Sequence, residues 1–398
     1  MGKWMIQFFK TPLLTAKLLP KYSIPLAAMA VAVASGCGSK PADTGPTHPQ
    51  GAVAPHSPLP GMPPVLDPLD IYAADRPNQL DPAVAGFPSY VYVPNSGSNT
   101  VDIIDPKTFK IVKHYRVGRQ PQHVVPSWDL KTLWVLNDLG DSVTRINPAN
   151  AQKGETIRVE DPYNMYYTPD GKYAIVVAER LRRLDFRNPK TMKLQYTTRV
   201  ACRGVDHLDF SADGTYFIAS CEFSAELLKV DVASRQVVGT LKLEEGAMPQ
   251  DVKLSPDGRV FYVADMHGNG LYLIDGESFK RIGFLPTGKG THGLYSSRDS
   301  KVLYVSNRGE GSISVVDFAS RKVAYKWTLP KGGSPDMGGV SADGKVLWLA
   351  GRYHHEVYAI DTADGHLLAR IKVGRGPHGL CVYPQPGRYS LGHTGVFR

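Results

Sequence analysis

The segment Gly374–Val382 (GRGPHGLCV) recurs along this chain of 398 residues in related forms, such as GRQPQHVV around His123 and GKGTHGLY around His292. Aligned on the position of His378, successive copies are 41, 43, 44, 41, 45 and 41 residues apart. A regular period of this length indicates one structural unit built repeatedly. The seven aligned positions are His123, Asn164, His207, Asp251, His292, Met337 and His378.

The period and the pattern inside each unit predict a β-propeller. Repeats of about 40 to 45 residues are typical of propeller blades, which contain four strands each. Asp-Gly turns between alternating apolar runs indicate hairpins, since glycine accepts a positive φ. Such turns occupy residues 168–171, 211–214, 255–258 and 341–344. We therefore predict an all-β, seven-bladed β-propeller of four-stranded blades.

The two ends of the repeat region complement each other. The first unit, Tyr90–Val117, contains the second, third and fourth strands of a blade, whereas the last copy, His378–Val382, supplies a first strand. Pairing of these ends would close the ring and remove exposed strand edges. An eight-bladed ring that uses both terminal segments is the alternative.

Two segments carry a family resemblance. Tyr92–Asp105 (YVPNSGSNTVDIID) and Leu303–Asp317 (LYVSNRGEGSISVVD) resemble the YVTN family of propeller repeats, as does the Gly-Pro-His-Gly of the recurring segment. The match runs from Tyr90 to Pro384, and Val176–Arg183 departs from it. The family is similar to the propeller of cytochrome cd1 nitrite reductase and to the lipoprotein propeller that acts in making d1 haem. The resemblance therefore implies a propeller, and it raises tetrapyrrole binding as one option.

The N-terminus predicts export. Residues 1–37 combine four lysines, the apolar stretch Ile24–Ala34 and a closing Ala-Ser-Gly-Cys, which is typical of a lipoprotein signal peptide ending at Cys37. Plain secretion with cleavage nearby is the alternative. Residues 38–68 are rich in proline and predict a disordered tether, and residues 69–398 form the propeller. We expect a protein of the cell envelope, periplasmic or on the cell surface, attached to the membrane only through lipid.

Charge gives no sign of a nucleic-acid partner. The net charge is +9, but lysine and arginine are scattered rather than clustered. We expect a monomer.

The sevenfold repeat places the aligned residues together. Inner strands line the channel of a propeller, so these side chains should form a ring at one mouth. We expect the loops after each second strand to open on the same face. These loops contain Asn95, Asn137, Glu179, Cys221, His267, Asn307, Arg308, Arg352, His354 and His355.

Two interpretations of this ring remain open. In the first, polar residues at the head of each inner strand bind loop backbone and line a wet channel. In the second, His123, His207, His292 and His378 bind copper, zinc or iron. Nitrous oxide reductase is a comparable case, since its copper cluster is held by propeller histidines.

Cysteines and paired carboxylates add further expectations. Cys202 and Cys221 flank His207 on one face, so they form either a disulfide or two separate thiols. Cys381 should be a buried, small apolar residue. We expect Asp206, Asp209 and the pair Glu244–Glu245 to be solvated residues of turns and strand surfaces.

Three classes of function fit these features. The first is a non-catalytic scaffold that binds a protein, glycan or small molecule through the channel mouth. The second is a metal- or tetrapyrrole-binding protein. The third is a lactonase-like hydrolase, for which Asp251 and Glu179 would have to hold a divalent ion. The sequence contains no nucleophile elbow, zincin motif, phosphate loop or haem-attachment motif, which favours the first class.

Overall fold

A computed structural model describes residues 57–393 and 396–398. Within these residues the chain forms seven antiparallel sheets, one for each repeat, arranged as blades around a central channel. The predicted seven-bladed β-propeller is therefore confirmed. The predicted signal peptide, Cys37 and most of the tether lie outside the described residues. In the part of the chain that is described, no helix is long and apolar enough to cross a membrane.

The strands of the first four blades follow each other from the channel outward, except that blade 1 begins with its second strand. Blade 1 contains β1 (Tyr90–Asn95), β2 (Thr100–Asp105) and β3 (Lys110–Arg116). Blade 2 contains β4 (Pro121–Pro126), β5 (Leu133–Asn137), β6 (Ser142–Asn147) and β7 (Gln152–Arg158). Blade 3 contains β8 (Asn164–Tyr167), β9 (Ala174–Ala178), β10 (Arg183–Arg187) and β11 (Leu194–Arg199). Blade 4 contains β12 (Val205–Phe210), β13 (Tyr216–Cys221), β14 (Glu226–Asp231) and β15 (Val237–Lys242).

The remaining blades repeat this order, and three short strands end the chain. Blade 5 contains β16 (Pro249–Leu254), β17 (Val260–Asp265), β18 (Gly270–Asp275) and β19 (Lys280–Pro286). Blade 6 contains β20 (Thr291–Ser296), β21 (Val302–Asn307), β22 (Ser312–Asp317) and β23 (Lys322–Thr328). Blade 7 contains β24 (Pro335–Val340), β25 (Val346–Gly351), β26 (Glu356–Asp361) and β27 (Leu367–Lys372). The final strands are β28 (Cys381–Tyr383), β29 (Ser390–Gly392) and β30 (Val396–Phe397). Single-turn 3-10 helices occupy Ala73–Asp75, Asp138–Gly140 and Glu222–Ser224.

Ring closure follows the predicted route. β28 pairs with β1 through Tyr90 and Tyr383, Val91 and Val382, and Tyr92 and Cys381. The C-terminal strand thus becomes the inner strand of blade 1, and the eight-bladed alternative is wrong. β28 begins at Cys381, three residues later than expected.

Residues beyond β28 enter the channel. β29 pairs with β30 and adds to the inner edge of blade 3 beside β8, where Gly392 pairs with Tyr166. We call residues 389–393 and 396–398 the C-terminal hairpin. Its apolar side chains are buried, and Arg398 is 3.1 Å from an Asp209 carboxylate oxygen. The hairpin therefore fills channel space that the repeats leave open.

The N-terminal segment crosses the face that carries the turns between first and second strands. The backbone N–H groups of Leu59, Ile71 and Asn78 donate to carbonyl oxygens of Asp213, Pro256 and Ala342, each at 2.8 Å. These acceptors lie in blades 4, 5 and 7. Ordered packing therefore begins before residue 68, where we placed the end of the tether.

Buried carboxylates join neighbouring blades. Asp209 and Asp251 accept the backbone N–H groups of Leu254 and Leu294, at 2.8 and 2.9 Å. Asp206 and Asp209 are almost fully buried, so the expectation that they are solvated was wrong. The sequence alone did not show that both faces of an inner strand are covered. The adjacent blades cover one face, and the side chains that fill the channel cover the other.

Removing residues 378–398 should abolish cooperative folding, because blade 1 loses its inner strand and the ring opens. Removing only residues 396–398 should leave a cooperative unfolding transition. That shorter deletion should lower the free energy of unfolding by roughly 3–6 kcal/mol through the loss of two buried apolar side chains. Chemical denaturation followed by circular dichroism measures both. Cooperative unfolding of the longer deletion would contradict the closure argument.

Candidate metal centre

The seven aligned residues meet in the channel, as the repeat predicts. All of them are at most 2% exposed. The ring is therefore packed among protein atoms, whereas the first interpretation placed it along a wet channel. The C-terminal hairpin covers the ring of aligned residues on the side where the turns between first and second strands lie, because β29 pairs with β8.

Four imidazoles form one cluster. The ring centroid of His123 is 4.9 Å from His378, 5.6 Å from His207 and 5.4 Å from His393. The centroids of His207 and His393 are 4.9 Å apart. His292 is more distant, at 5.9 Å from His378 and 6.4 Å from His207.

Three of these histidines are close enough together to be candidate ligands of one metal ion. His123, His207 and His393 each offer one ring nitrogen, and these nitrogens all lie within 4.8 Å of one another. The sequence predicted four ligands, His123, His207, His292 and His378, and the first two belong to this group of three. It missed His393, which belongs to the C-terminal hairpin and has no counterpart in the repeat.

Hydrogen bonds fix the outward nitrogens of two rings. His123 Nδ1 is 2.8 Å from the carbonyl oxygen of Tyr163, and His378 Nδ1 is 2.7 Å from Asp336 Oδ2. Both partners only accept, so each Nδ1 carries the proton and Nε2 of the neutral ring keeps its lone pair. In the described part of the chain, neither Nε2 atom has a hydrogen-bond partner. A lone pair held in this way is the form in which imidazole binds a metal ion.

Asn164 orients the other two rings. Its amide nitrogen is 3.0 Å from His207 Nδ1 and 3.1 Å from His393 Nδ1, while its amide oxygen accepts the N–H of Met165. The amide nitrogen donates, so Nδ1 of each of these two rings accepts and Nε2 carries the proton of the neutral form. An ion bound at either Nε2 therefore requires the other tautomer, with the proton on Nδ1 and the Asn164 amide turned to present its oxygen. The sequence predicted Asn164 as a ligand-binding member of the ring. In the structure its side chain links His393 of the C-terminal hairpin to His207 of blade 4.

Burial keeps the cluster neutral. It lowers the pKa of His123 to about 4 and the pKa values of His207, His378 and His393 well below the usual range. Positive charge on Arg352 and Arg308 lowers the pKa of His378 further. All four imidazoles are therefore uncharged at pH 7, which is the protonation state of a metal ligand.

The remaining ring members have structural partners. His292 Nδ1 is 3.1 Å from Met337 Sδ and 3.2 Å from Asp336 Oδ1. Asp251 accepts the backbone N–H groups of Val252 and Leu294. These contacts match the first interpretation of the ring, in which polar side chains bind neighbouring backbone and side chains.

A glycine makes room for the central imidazole. A β-carbon built on Gly379 would lie 2.0 Å from Cδ2 of His123. The glycine that follows His378 in the recurring segment is therefore a packing requirement of the histidine in the next blade.

The loop residues named from the sequence divide by burial. Asn95, Asn137 and Asn307 are buried and donate hydrogen bonds to side chains of their own hairpins. His267, His354 and His355 are exposed. Glu179, Arg308 and Arg352 are partly or largely buried, and the two arginines are near enough to the cluster for their charge to lower the pKa of His378.

A disulfide braces blade 4 beside the cluster. Cys202 and Cys221 are bonded and buried, with their Cα atoms 6.0 Å apart. Of the two options left open by the sequence, the structure contains the disulfide. It ties the start of β12, which carries His207, to the end of β13. Cys381 is an unbonded buried thiol among the described cysteines.

The family model of the YNCE-like beta-propeller matches residues 73–387. Among solved structures, the periplasmic gluconolactonase of Pseudomonas aeruginosa has a TM-score of 0.63 at 18% identity, covering 75% of this chain and 99% of that chain. The hydrazine synthase of Kuenenia stuttgartiensis has a TM-score of 0.61 at 21% identity, covering 69% and 93%. The dihydro-heme d1 dehydrogenase NirN, in a complex with DHE, has a TM-score of 0.57 at 17% identity, covering 82% and 79%.

These likenesses show the fold alone, since every identity is low. They confirm the predicted resemblance to propellers connected with d1 haem. No match was found among curated protein sequences.

The substitution Gly379→Ala should displace His123, because the new methyl group overlaps its ring. Overpacking of this kind costs roughly 1–3 kcal/mol of unfolding free energy. Gly86→Ala is the matched control, since its added β-carbon meets nothing within 4 Å. Equal stabilities of the two variants in denaturant titrations would contradict the close packing of the ring.

Acid should destabilise the metal-free protein through His123. The unfolded side chain titrates near pH 6.5 and the buried one near 4, so the unfolded state binds more protons between these values. Relative to the variant His123→Gln, wild-type stability should fall by about 3 kcal/mol as the pH drops from 6.5 to 4. Denaturant titrations at several pH values measure this difference, with the exposed His267→Gln as the control. A difference that does not change with pH would refute a buried neutral His123.

Proposed function

This chain belongs to the YNCE-like beta-propeller family, and we propose that it is a metal-binding protein that holds one transition-metal ion in its channel. The observation that carries the proposal is the convergence of ring nitrogens from His123, His207 and His393 within 4.8 Å. His378 is adjacent and offers a further Nε2 without a hydrogen-bond partner among the described residues. The side chains of these histidines are at most 2% exposed.

The spacing supports an ion of zinc or copper size. Zinc–nitrogen bonds are about 2.0–2.1 Å long, so the nitrogens of a tetrahedral site lie about 3.3 Å apart. The three ring nitrogens lie within 4.8 Å of one another, so an ion would have to draw them closer together. Imidazole suits zinc, copper and iron, and the neutral state of the rings favours all three; we propose zinc or copper as the resident ion.

Burial of the ring favours an ion over larger ligands. A protein or glycan at the loop face cannot touch side chains that are covered on both sides. Imidazoles whose centroids are 4.9–5.6 Å apart leave no space between them for a tetrapyrrole. For a lactonase-like hydrolase, Asp251 and Glu179 would have to hold a divalent ion, but no group of three described His, Cys, Asp or Glu side chains with ligand atoms within 4.8 Å includes either of them.

The place of action is part of the proposal. The lysine-rich start, the short apolar stretch and Cys37 support export and lipid attachment at the cell envelope. A disulfide between Cys202 and Cys221 suits an oxidising compartment.

Metal content and affinity test the proposal. Protein purified without chelator should contain about one equivalent of zinc or copper by elemental analysis, and titration of the metal-free protein should show a single tight site. His393→Gln should weaken binding by at least about 100-fold, because losing a direct ligand exceeds the 10- to 100-fold cost of losing an outer partner.

His267→Gln is the matched control, since it makes the same substitution at an exposed imidazole outside the cluster. Its affinity should equal that of the wild type. If His393→Gln and His267→Gln bind zinc and copper as tightly as wild type, or if wild type binds neither metal, the proposal is wrong.

A further inference from the structure

An apolar patch is exposed where the N-terminal segment crosses the propeller. Val65, Leu66 and Leu69 are 38%, 60% and 75% exposed, and Leu69 is the most exposed large apolar side chain among the described residues. Apolar residues that are exposed singly are common on protein surfaces, whereas several together indicate an interaction site. We call residues 65–69 the apolar loop.

The apolar loop is held in place on both sides. Before it, Leu59 is buried and its backbone N–H donates to the carbonyl oxygen of Asp213 at 2.8 Å. After it, Ile71 is buried and its backbone N–H donates to the carbonyl oxygen of Pro256 at 2.8 Å. Leu59 and Ile71 pack into the hydrophobic clusters of the blades. The exposed leucines therefore belong to an anchored segment and not to a fraying end of the chain.

A β-turn presents Leu69 to the outside. The N–H of Asp70 donates to the carbonyl oxygen of Asp67 at 3.1 Å, and the N–H of Leu69 donates to Oδ1 of Asp67 at 2.8 Å. Pro68 stands second in this turn, where proline is favoured. Asp70 is paired with Arg76. The two acidic residues next to Leu69 are therefore already bound within the segment.

Basic side chains flank the apolar loop. A guanidinium N–H of Arg388 donates to the carbonyl oxygen of Pro64 at 2.8 Å. Arg259 is exposed in the turn to which Ile71 is bound. Within the described ranges neither arginine is in an ion pair, so both charges are free to meet an anionic partner. Apolar side chains bordered by basic ones are typical of a surface that binds anionic lipid.

The chain that precedes the described residues joins the domain at this segment. The sequence predicts lipid on Cys37, and the described part of the chain begins at Ser57. The residues between them span at most about 70 Å. The apolar loop begins eight residues after Ser57. It is therefore the exposed apolar surface nearest to the predicted anchor along the chain.

We infer that the apolar loop inserts into the surface of the bilayer that holds the lipid on Cys37. Leu66 and Leu69 enter the acyl boundary, and Arg259 and Arg388 contact anionic headgroups. This inference rests on the place of action in the proposed function. It adds a second membrane contact to the lipid, and two such contacts hold a protein more firmly than one.

Insertion also orients the propeller. The bilayer then covers the face with the turns between first and second strands, because the N-terminal segment crosses that face. The loops after the second strands point away from the membrane.

Vesicle binding by the unlipidated chain tests the inference. The chain from residue 37 onward with Cys37→Ser contains every described residue, and it should sediment with vesicles of phosphatidylcholine and phosphatidylglycerol in equal parts. Adding L66E/L69E should weaken binding by at least about 10-fold, because the inserted apolar area is lost. V238E/I282E is the matched control. These two residues are 59% and 50% exposed on the outer strands β15 and β19, and the variant should bind as the parent chain does.

The arginine contribution has its own readout. R259Q should lower binding to the anionic vesicles by about 5-fold, which is the effect of one basic residue near such a surface. Its binding to vesicles of phosphatidylcholine alone should not change.

A label keeps the test decisive if L66E/L69E folds poorly. The described cysteines are buried, so L69C in the Cys37→Ser chain can be labelled selectively with a polarity-sensitive dye. Its emission should shift to the blue when the anionic vesicles are added, whereas the emission of labelled V238C should not.

Four results would overturn the inference. The first two are no vesicle binding by the Cys37→Ser chain, and equal binding with and without L66E/L69E. The third is vesicle binding only after residues 37–56 are removed, since that segment would then be what covers the loop. The fourth is a dimer that L66E/L69E abolishes, without vesicle binding. Mass spectrometry of the wild-type N-terminal peptide detects lipid on Cys37 separately, so failure of the anchor is distinguished from failure of insertion.

Discussion

Pairing between β28 and β1 is the contact on which the rest of the structure depends. Each blade packs on two neighbours, and only a closed ring gives every blade both of them. Closure also decides where the C-terminus goes. After β28 the chain is already at the inner wall, so the residues that follow lie against the channel and add β29 beside β8. The position of His393 is therefore a consequence of how the ring closes.

Repetition then concentrates side chains that are far apart in the sequence. A residue type that recurs at the head of the inner strands meets its copies at the axis, and histidine occupies this position in four blades. Close packing removes water from these rings and lowers their pKa values, so the cluster is a set of neutral donors. Gly379 is part of the same arrangement, because only a glycine leaves space for the ring of His123.

The sequence allowed the blade count, the strand order and the closing contact to be predicted, because each follows from a period that recurs along the chain. His123 and His207 could be placed in the channel for the same reason. His393 could not be placed there, because it lies after the last repeat and has no equivalent position in the other repeats. The burial of Asp206 was missed because a strand pattern read in isolation does not show which face the neighbouring blade covers. Pairing of Cys202 with Cys221 depended on a Cα separation that only the fold provides.

Several departures from the repeat fall on two adjacent blades, in addition to Asp251 and Met337, which stand at the histidine position in blades 5 and 7. Blade 3 has Asn164 instead of histidine, accepts the C-terminal hairpin and replaces the loop pattern of the family with the segment around Glu179. Blade 4 has the disulfide and the buried acid Asp206, whose Oδ1 is 3.2 Å from His207 Nε2. These two blades meet through Asn164, whose amide nitrogen contacts both His207 of blade 4 and His393 of the C-terminal hairpin. The departures from the repeat therefore lie around the proposed metal centre, because the hairpin needs an inner strand to pair with and its histidine needs a polar partner there.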